Sequence, residues 1–238
     1  MADDLEAREC LRAAYLDAMG ITRWLARTAP ASEPDRGTVP GPEPAALEPA
    51  LDWAALEAQV AGCTRCGLHA SRTRTVFGVG SRRAQLMLIG EAPGADEDRQ
   101  GEPFVGRAGQ LLNAMLRAVG LERDSVFIAN ILKCRPPRNR DPQPGEAEAC
   151  RPYLEAQIEL LRPRLILALG RVSAQNLLRT DTPVGRLRGR LHRLEPSGIP
   201  LTVTYHPAYL LRSPRDKRRA WEDLKLVKRT LTQARTTP

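Results

Sequence analysis

Apolar residues along the chain fall into two textures. Short, nearly continuous apolar runs occur at Gln85–Ile89, Val126–Ala129, Arg164–Leu169 and Leu201–Thr204. Runs of this length read as strands buried on both faces, as in a parallel sheet. Between them, apolar residues recur at helical spacing over Ala108–Val119, Glu146–Leu161 and Val172–Leu178. A further helical pattern opens at Asp52, a suitable N-cap, and runs to about Ala61, and a last one covers Arg215–Ala234. Strands alternating with helices predict parallel strands joined by crossover helices. The expected fold is α/β, a three-layer α/β/α arrangement around a central, mostly parallel four-stranded sheet.

The first 50 residues differ. Leu5, Leu11, Tyr15, Leu16, Met19, Trp24 and Leu25 give an amphipathic helical segment over 1–28, broken near Gly20. Six prolines in 29–50 (Pro30, Pro34, Pro40, Pro42, Pro44, Pro49) cannot sustain a helix or strand, so that stretch reads as a flexible linker. The α/β domain then occupies 51–238.

Charge is distributed along the same boundary. Of 36 basic and 28 acidic residues, the first 62 positions hold 5 and 11, leaving 31 and 17 for the rest. A domain so basic expects a polyanionic partner. Only Lys133, Lys217, Lys225 and Lys228 are lysines, so part of the arginine excess can reflect genome composition. No stretch approaches the roughly 20 apolar residues of a membrane helix, and the acidic start Ala2-Asp3-Asp4 is unlike a signal peptide. The expectation is a cytoplasmic, nucleoid-associated protein with no membrane partner.

Five cysteines without a secretion signal argue against a disulfide framework and for a metal site. Cys63 and Cys66 form a C-x2-C pair, and Cys134 and Cys150 supply a second pair separated by 15 residues. Four thiolates suit either tetrahedral zinc or an iron–sulfur cluster, and spacing alone leaves both open. Cys10 is a spare thiol, and His69 is not needed once four cysteines complete the site.

In sheets of this kind functional groups gather past the carboxyl ends of the strands. The four strand ends here deliver Gly90-Glu91-Ala92-Pro93-Gly94, Asn130, Gly170-Arg171 and His206-Pro207. Downstream of the first lies Pro103-Phe104-Val105-Gly106, holding one of only three phenylalanines. After the second comes Lys133-Cys134-Arg135-Pro136-Pro137, and after the fourth Ala208-Tyr209-Leu210-Leu211-Arg212.

GEAPG with PFVGRAG, the N-x3-C-R-P-P segment, HPAYLLR and the four cysteines in order resemble the family 4 uracil-DNA glycosylases of the iron–sulfur type. The resemblance covers roughly residues 52–230. It implies an enzyme that flips uracil out of single- or double-stranded DNA and hydrolyses its N-glycosidic bond, the first step in repairing deaminated cytosine. It implies a structural [4Fe–4S] cluster on Cys63, Cys66, Cys134 and Cys150, with zinc the lesser alternative, and a monomer. Phe104 would stack on the flipped base and Asn130 would read its edge, since an amide both donates and accepts. His206 would donate to the uracil oxygen that gains charge, and the turn around Glu91, Ala92 and Pro93 would line the pocket. Glu91 would orient the attacking water, because Ala92 stands where the best-known branch places an aspartate. Glu97 would reject the thymine methyl. Leu210, with Leu211 and Tyr209 as rivals, would fill the gap left by the base, and Arg212, Arg135, Arg138 and Arg140 would meet phosphate. Residues 135–149 hold no histidine, so covalent product trapping is not expected. The competing readings are a non-catalytic iron–sulfur nucleic-acid-binding protein and a zinc-stabilised phosphate-binding domain.

Overall fold

A computed structural model describes residues 52–236. The expected helix at 1–28, the linker at 29–50 and Cys10 lie outside the described residues. In chain order the main elements are α1 (Trp53–Ala61), β1 (Val79–Gly80), β2 (Leu86–Gly90), α2 (Ala95–Gln100), α3 (Arg107–Ala118), β3 (Phe127–Asn130), α4 (Pro144–Leu161), β4 (Leu165–Leu169), α5 (Arg171–Leu178), α6 (Val184–Leu187), β5 (Leu191–Leu194), β6 (Ile199–Thr204), α7 (Pro207–Arg212) and α8 (Lys217–Thr236).

The strands form one sheet in the order β1-β3-β2-β4-β6-β5. The inner four are mutually parallel and match the four apolar runs, whereas β1 and β5 pair antiparallel at the edges. The sheet therefore has six strands rather than the expected four. The two extra strands were hidden for a physical reason. Strand β1 is two residues long and ends in glycine, and β5, Leu-His-Arg-Leu, is exposed over most of its length. An edge strand that buries little apolar surface leaves no apolar run to read.

Side-chain alternation splits the core into the two layers of a sandwich. Met87, Ile89, Phe127, Ala129, Ile166, Ala168, Leu201 and Val203 face α1, α4, α5 and α6. Leu86, Leu88, Ile128, Leu165, Leu167 and Leu169 face α3, α7 and α8. Strands β2, β3 and β4 are buried at every residue, as sheets covered on both faces require.

Two helices were not expected. The acidic run at 95–98 forms helix α2, in which Asp98 is buried and accepts from the Thr73 backbone N–H at 2.9 Å. The segment after His206, which carries the residues expected to fill the gap left by the base, is the short helix α7 with His206 at its N-cap. Leu210, the expected inserting residue, lies on the inner face of α7. It is 1% exposed and belongs to the core layer under α3 and α8, while Leu211 is 37% exposed. Helical rotation turns one leucine inward and its neighbour outward.

Candidate active site and four-cysteine centre

From β2 the chain pairs β3 on one side and β4 on the other, so the strand order reverses at β2. Crevices at such a reversal are where parallel sheets bind ligands. The residues collected there come from all four inner strands.

Gly90 ends β2, and its missing side chain is a packing requirement. A Cβ there would meet the Asn130 Oδ1 at 2.4 Å and the Phe104 ring at 2.7 Å. Asn130 and Phe104 therefore share the space above Gly90. Phe104 holds a left-handed φ of 55°, which a non-glycine residue adopts only when its surroundings enforce it. Part of that enforcement is Gly109 on α3, where a Cβ would lie 1.8 Å from the Phe104 carbonyl oxygen. The Asn130 side chain is buried, and its Oδ1 has no hydrogen-bond partner. Buried polar atoms are nearly always satisfied, so an orphaned acceptor here calls for a ligand donor.

His206 lies across the pocket, its ring centroid 5.6 Å from that of Phe104. Its Nδ1 accepts from the Ala208 backbone N–H at 3.2 Å. The proton of the neutral ring is thereby left on Nε2, which becomes the donor. Burial, aided by the Arg212 charge, pulls the His206 pKa down to about 4, so the ring is neutral in ordinary buffers. Gly170 packs against it, since a Cβ there would meet the His206 Cβ at 2.8 Å. The β6 end is fixed from below: Asp223, fully buried, accepts from Thr204 at 2.8 Å and from two Arg188 nitrogens at 3.0 and 2.9 Å.

Glu91 is half-buried, and burial first, then the nearby Asp141 carboxylate, raises its pKa to about 7 against the opposing pull of Arg171. Asp141 and Arg171 form an ion pair 30 residues apart in sequence. Sequence reasoning missed Asp141, because nothing local marks a loop aspartate that only the fold brings beside Glu91. Ala92 and Pro93 follow in the same turn, half-buried and buried.

Glu97, expected to reject the thymine methyl, has both carboxylate oxygens bonded to backbone. Its Oε1 accepts from the Val105 and Gly106 N–H groups at 3.0 and 3.3 Å, and its Oε2 from Gly94 at 3.1 Å. One carboxylate thus ties the GEAPG turn to the PFVG loop.

The basic residues divide. Arg212 and Arg138 are exposed, Arg138 with a φ of 55°, and Arg135 is half-buried, bonded to the Asn139 side chain at 2.7 Å. Arg140 is half-buried and already paired. It makes a two-pronged contact with Glu146 at 2.9 and 2.6 Å that closes the start of α4.

The four cysteines converge from separate elements: the end of α1, the following turn, the segment after β3, and α4. All four are free thiols and line one small cavity with Leu68, Leu132 and Tyr153. Among the described residues no His, Cys, Asp or Glu group is drawn together as a single-ion site. Four free thiols around one cavity are a soft-metal donor set that suits an iron–sulfur cluster or zinc. Their donors fit as well: Arg72 donates to the Cys134 Sγ at 3.2 Å and the Lys133 N–H to the Cys150 Sγ at 3.3 Å. Burial pushes the Cys150 thiol up to about 11 and raises Cys134 too, so a bound metal is what would hold them as thiolates. His69 is exposed and bonds the Cys66 carbonyl instead. A larger apolar groove between α4, α5 and the β5–β6 hairpin, lined by Leu154, Ile158, Leu177 and Leu194, holds none of the strand-end residues.

Comparison with known proteins agrees with this geometry. The profile of the uracil DNA glycosylase superfamily matches residues 77–225. A type-4 uracil-DNA glycosylase of Archaeoglobus fulgidus is 44% identical over 175 residues, covering 71% of this chain and 88% of that protein. One from Pyrobaculum aerophilum is 45% identical over 170 residues, covering 69% and 87%. A type-5 uracil-DNA glycosylase of Thermus thermophilus is more distant, 32% identical over 151 residues, covering 56% and 68%. With its strand-end pocket, its cysteine set and these relatives, the chain belongs to the uracil-DNA glycosylase superfamily, on the type-4 side of it.

Proposed function

We propose that this protein is a DNA glycosylase that removes uracil from DNA by hydrolysing its N-glycosidic bond, the opening step of base excision repair. The observation that carries the reading is the orphaned Asn130 Oδ1 beside Phe104, whose ring lies 5.6 Å from that of His206, with the His206 Nε2 left as a donor.

The target base must leave the stack to be reached. In the pocket Phe104 stacks on its face. The Asn130 Oδ1 accepts the uracil N3–H, and its amide donates to the neighbouring carbonyl. Cytosine, which carries no hydrogen on N3, would leave Oδ1 unpaired, and that is the source of discrimination. The C1′–N1 bond breaks with its electron pair passing to the base. His206, neutral and with its hydrogen on Nε2, donates to the uracil oxygen where that charge develops. Glu91 in its ionised form orients water toward C1′ and takes up the proton that the water loses. Backbone around Ala92 and Pro93 lines the pocket, with Glu97 holding that turn against the Phe104 loop. Leu211, exposed on α7, is the side chain placed to fill the gap in the stack. Arg212, Arg135 and Arg138 meet the phosphates.

Cys63, Cys66, Cys134 and Cys150 would hold a [4Fe–4S] cluster, which supplies a cross-link rather than a reacting centre. Among the described residues no helix is long and apolar enough to cross a membrane. The protein would act inside the cell, on DNA.

The test is base release from matched oligonucleotides carrying uracil or thymine. Release of uracil alone by the wild type, lost in Asn130→Ala, supports the reading. No release by protein carrying its full complement of iron overturns it in favour of a non-catalytic DNA-binding role.

A further inference from the structure

Only three residues separate Asn130, the base-reading amide, from Cys134, and the last of them is Lys133. A lysine is among the residues least often fully buried, yet Lys133 is 1% exposed. Its Nζ donates to the Asn130 backbone carbonyl at 2.9 Å and to the Gln157 Oε1 at 2.6 Å. Gln157, fully buried on α4, in turn donates to the Phe77 carbonyl at 2.9 Å. The Lys133 backbone completes the junction, with its N–H on the Cys150 Sγ at 3.3 Å and its carbonyl accepting from Val76 at 2.8 Å.

An ammonium removed from water needs an anion, or it costs several kcal/mol. Both oxygens bonded to the Lys133 Nζ are neutral, and among the described residues it has no carboxylate partner. With a metal bound, the cysteines, Cys150 foremost, would be the anionic groups on its side of the fold. Four thiolates on a cluster core of charge +2 leave a net charge of −2. Arg72, bonded to Cys134, and Lys133 supply two positive charges against it. Lys133 thus faces the four-cysteine centre with its charge and Asn130 with its hydrogen bond.

We propose that Lys133 is a positioning residue that couples the four-cysteine centre to the pocket: the charge of the centre keeps the ammonium buried, and the ammonium fixes the carboxyl end of β3 so that the Asn130 amide faces the base. The inference rests on the glycosylase reading. It gives the centre a role in the chemistry of the pocket beyond DNA affinity, without electron transfer. A misplaced group of this kind costs on the order of 10–100-fold in rate.

The experiment compares full-length wild type and Lys133→Met, both characterised for iron content. Three quantities are measured: the single-turnover rate of uracil release, the affinity for uracil-containing DNA, and the reduction potential of the cluster. The expected result is a release rate about 10–100-fold lower, DNA affinity within about twofold, and a lower reduction potential, because a nearby cation that favours the reduced cluster is gone. A merely structural lysine would not move the potential. Gln157→Leu keeps the charge and the Asn130 bond but removes one anchor. Its rate should fall several-fold with the potential little changed, and it serves as the test if Lys133→Met does not load iron. Wild-type release with Lys133→Met unaltered in rate and potential overturns the inference alone, and so does an unaltered rate in Gln157→Leu when that variant stands in. Absence of release by iron-loaded wild type overturns the glycosylase reading and this inference with it.

Discussion

Asn130 and His206 occupy comparable places, one the last residue of an inner parallel strand and the other two residues past the end of another, yet their polar atoms are left in opposite conditions. The Asn130 Oδ1 is buried with no partner, while the Nδ1 of His206 is already taken by the Ala208 N–H. The β3 side is an unfilled acceptor, which gains most when a ligand with a matching donor arrives. The β6 side is a preset donor, with its tautomer chosen before the substrate binds. In the proposed mechanism, reading the base and stabilising the leaving group fall to different strands, and each strand end is held separately, by Lys133 and Gln157 on one side and by Asp223 and Arg188 on the other.

The largest expected effect tests the acceptor side. Asn130→Ala should lower single-turnover uracil release by about 10³-fold, and Asn130→Asp should not restore it, because a carboxylate accepts but cannot donate to the uracil carbonyl. Equal rates for wild type and Asn130→Ala would remove Asn130 from base reading. On the donor side, His206→Ala should cost about 10²-fold in release rate with DNA affinity nearly unchanged. Because the His206 pKa is down at about 4, its loss should be uniform from pH 5.5 to 9, and a loss confined to low pH would mean that the imidazolium is the active form.

A smaller effect separates both from Glu91. With its pKa raised to about 7, wild-type release should rise with pH through 7 as the carboxylate ionises, and Glu91→Gln should be slower by about tenfold and lack that limb. The stability consequence has the opposite sign. A carboxyl group whose folded pKa is raised binds its proton more tightly folded than unfolded, so its contribution is present at low pH and lost as pH rises through 7. Glu91→Gln should therefore gain more in Tm over wild type at pH 8 than at pH 5, and equal gains would contradict the raised pKa. The smallest effect concerns α7. Leu211→Ala should slow release from duplex DNA by a few-fold and leave single-stranded substrate unaffected, whereas Leu210→Ala should cost about 2–5 kcal/mol of stability. The reverse pattern would restore Leu210 as the inserting residue.

The parts of this molecule that were legible in the sequence were those whose signal is local. Strands β2, β3, β4 and β6 announced themselves because a parallel strand covered on both faces must be apolar throughout. The same rule kept β1 and β5 hidden, since edge strands escape it. Asn130, Phe104, Glu91 and His206 were legible because strand ends in this topology are where ligand groups collect, and the motifs flanking them are distinctive. Glu97 was singled out, but its service to three backbone N–H groups was not, because two of those groups lie eight and nine residues ahead.

By itself, then, the sequence determined the α/β class through its periodicity and, through the resemblance its motifs carry, the family and the residues proposed for the pocket and the four-cysteine centre. Tertiary structure alone decided which atoms were left unpaired and which were committed. It placed Asp141 beside Glu91, buried Lys133 between Asn130 and the cysteines, turned Leu210 inward and Leu211 outward, and chose the His206 tautomer. Those outcomes depend on burial and on partners brought from distant segments, and neither quantity exists until the chain has packed.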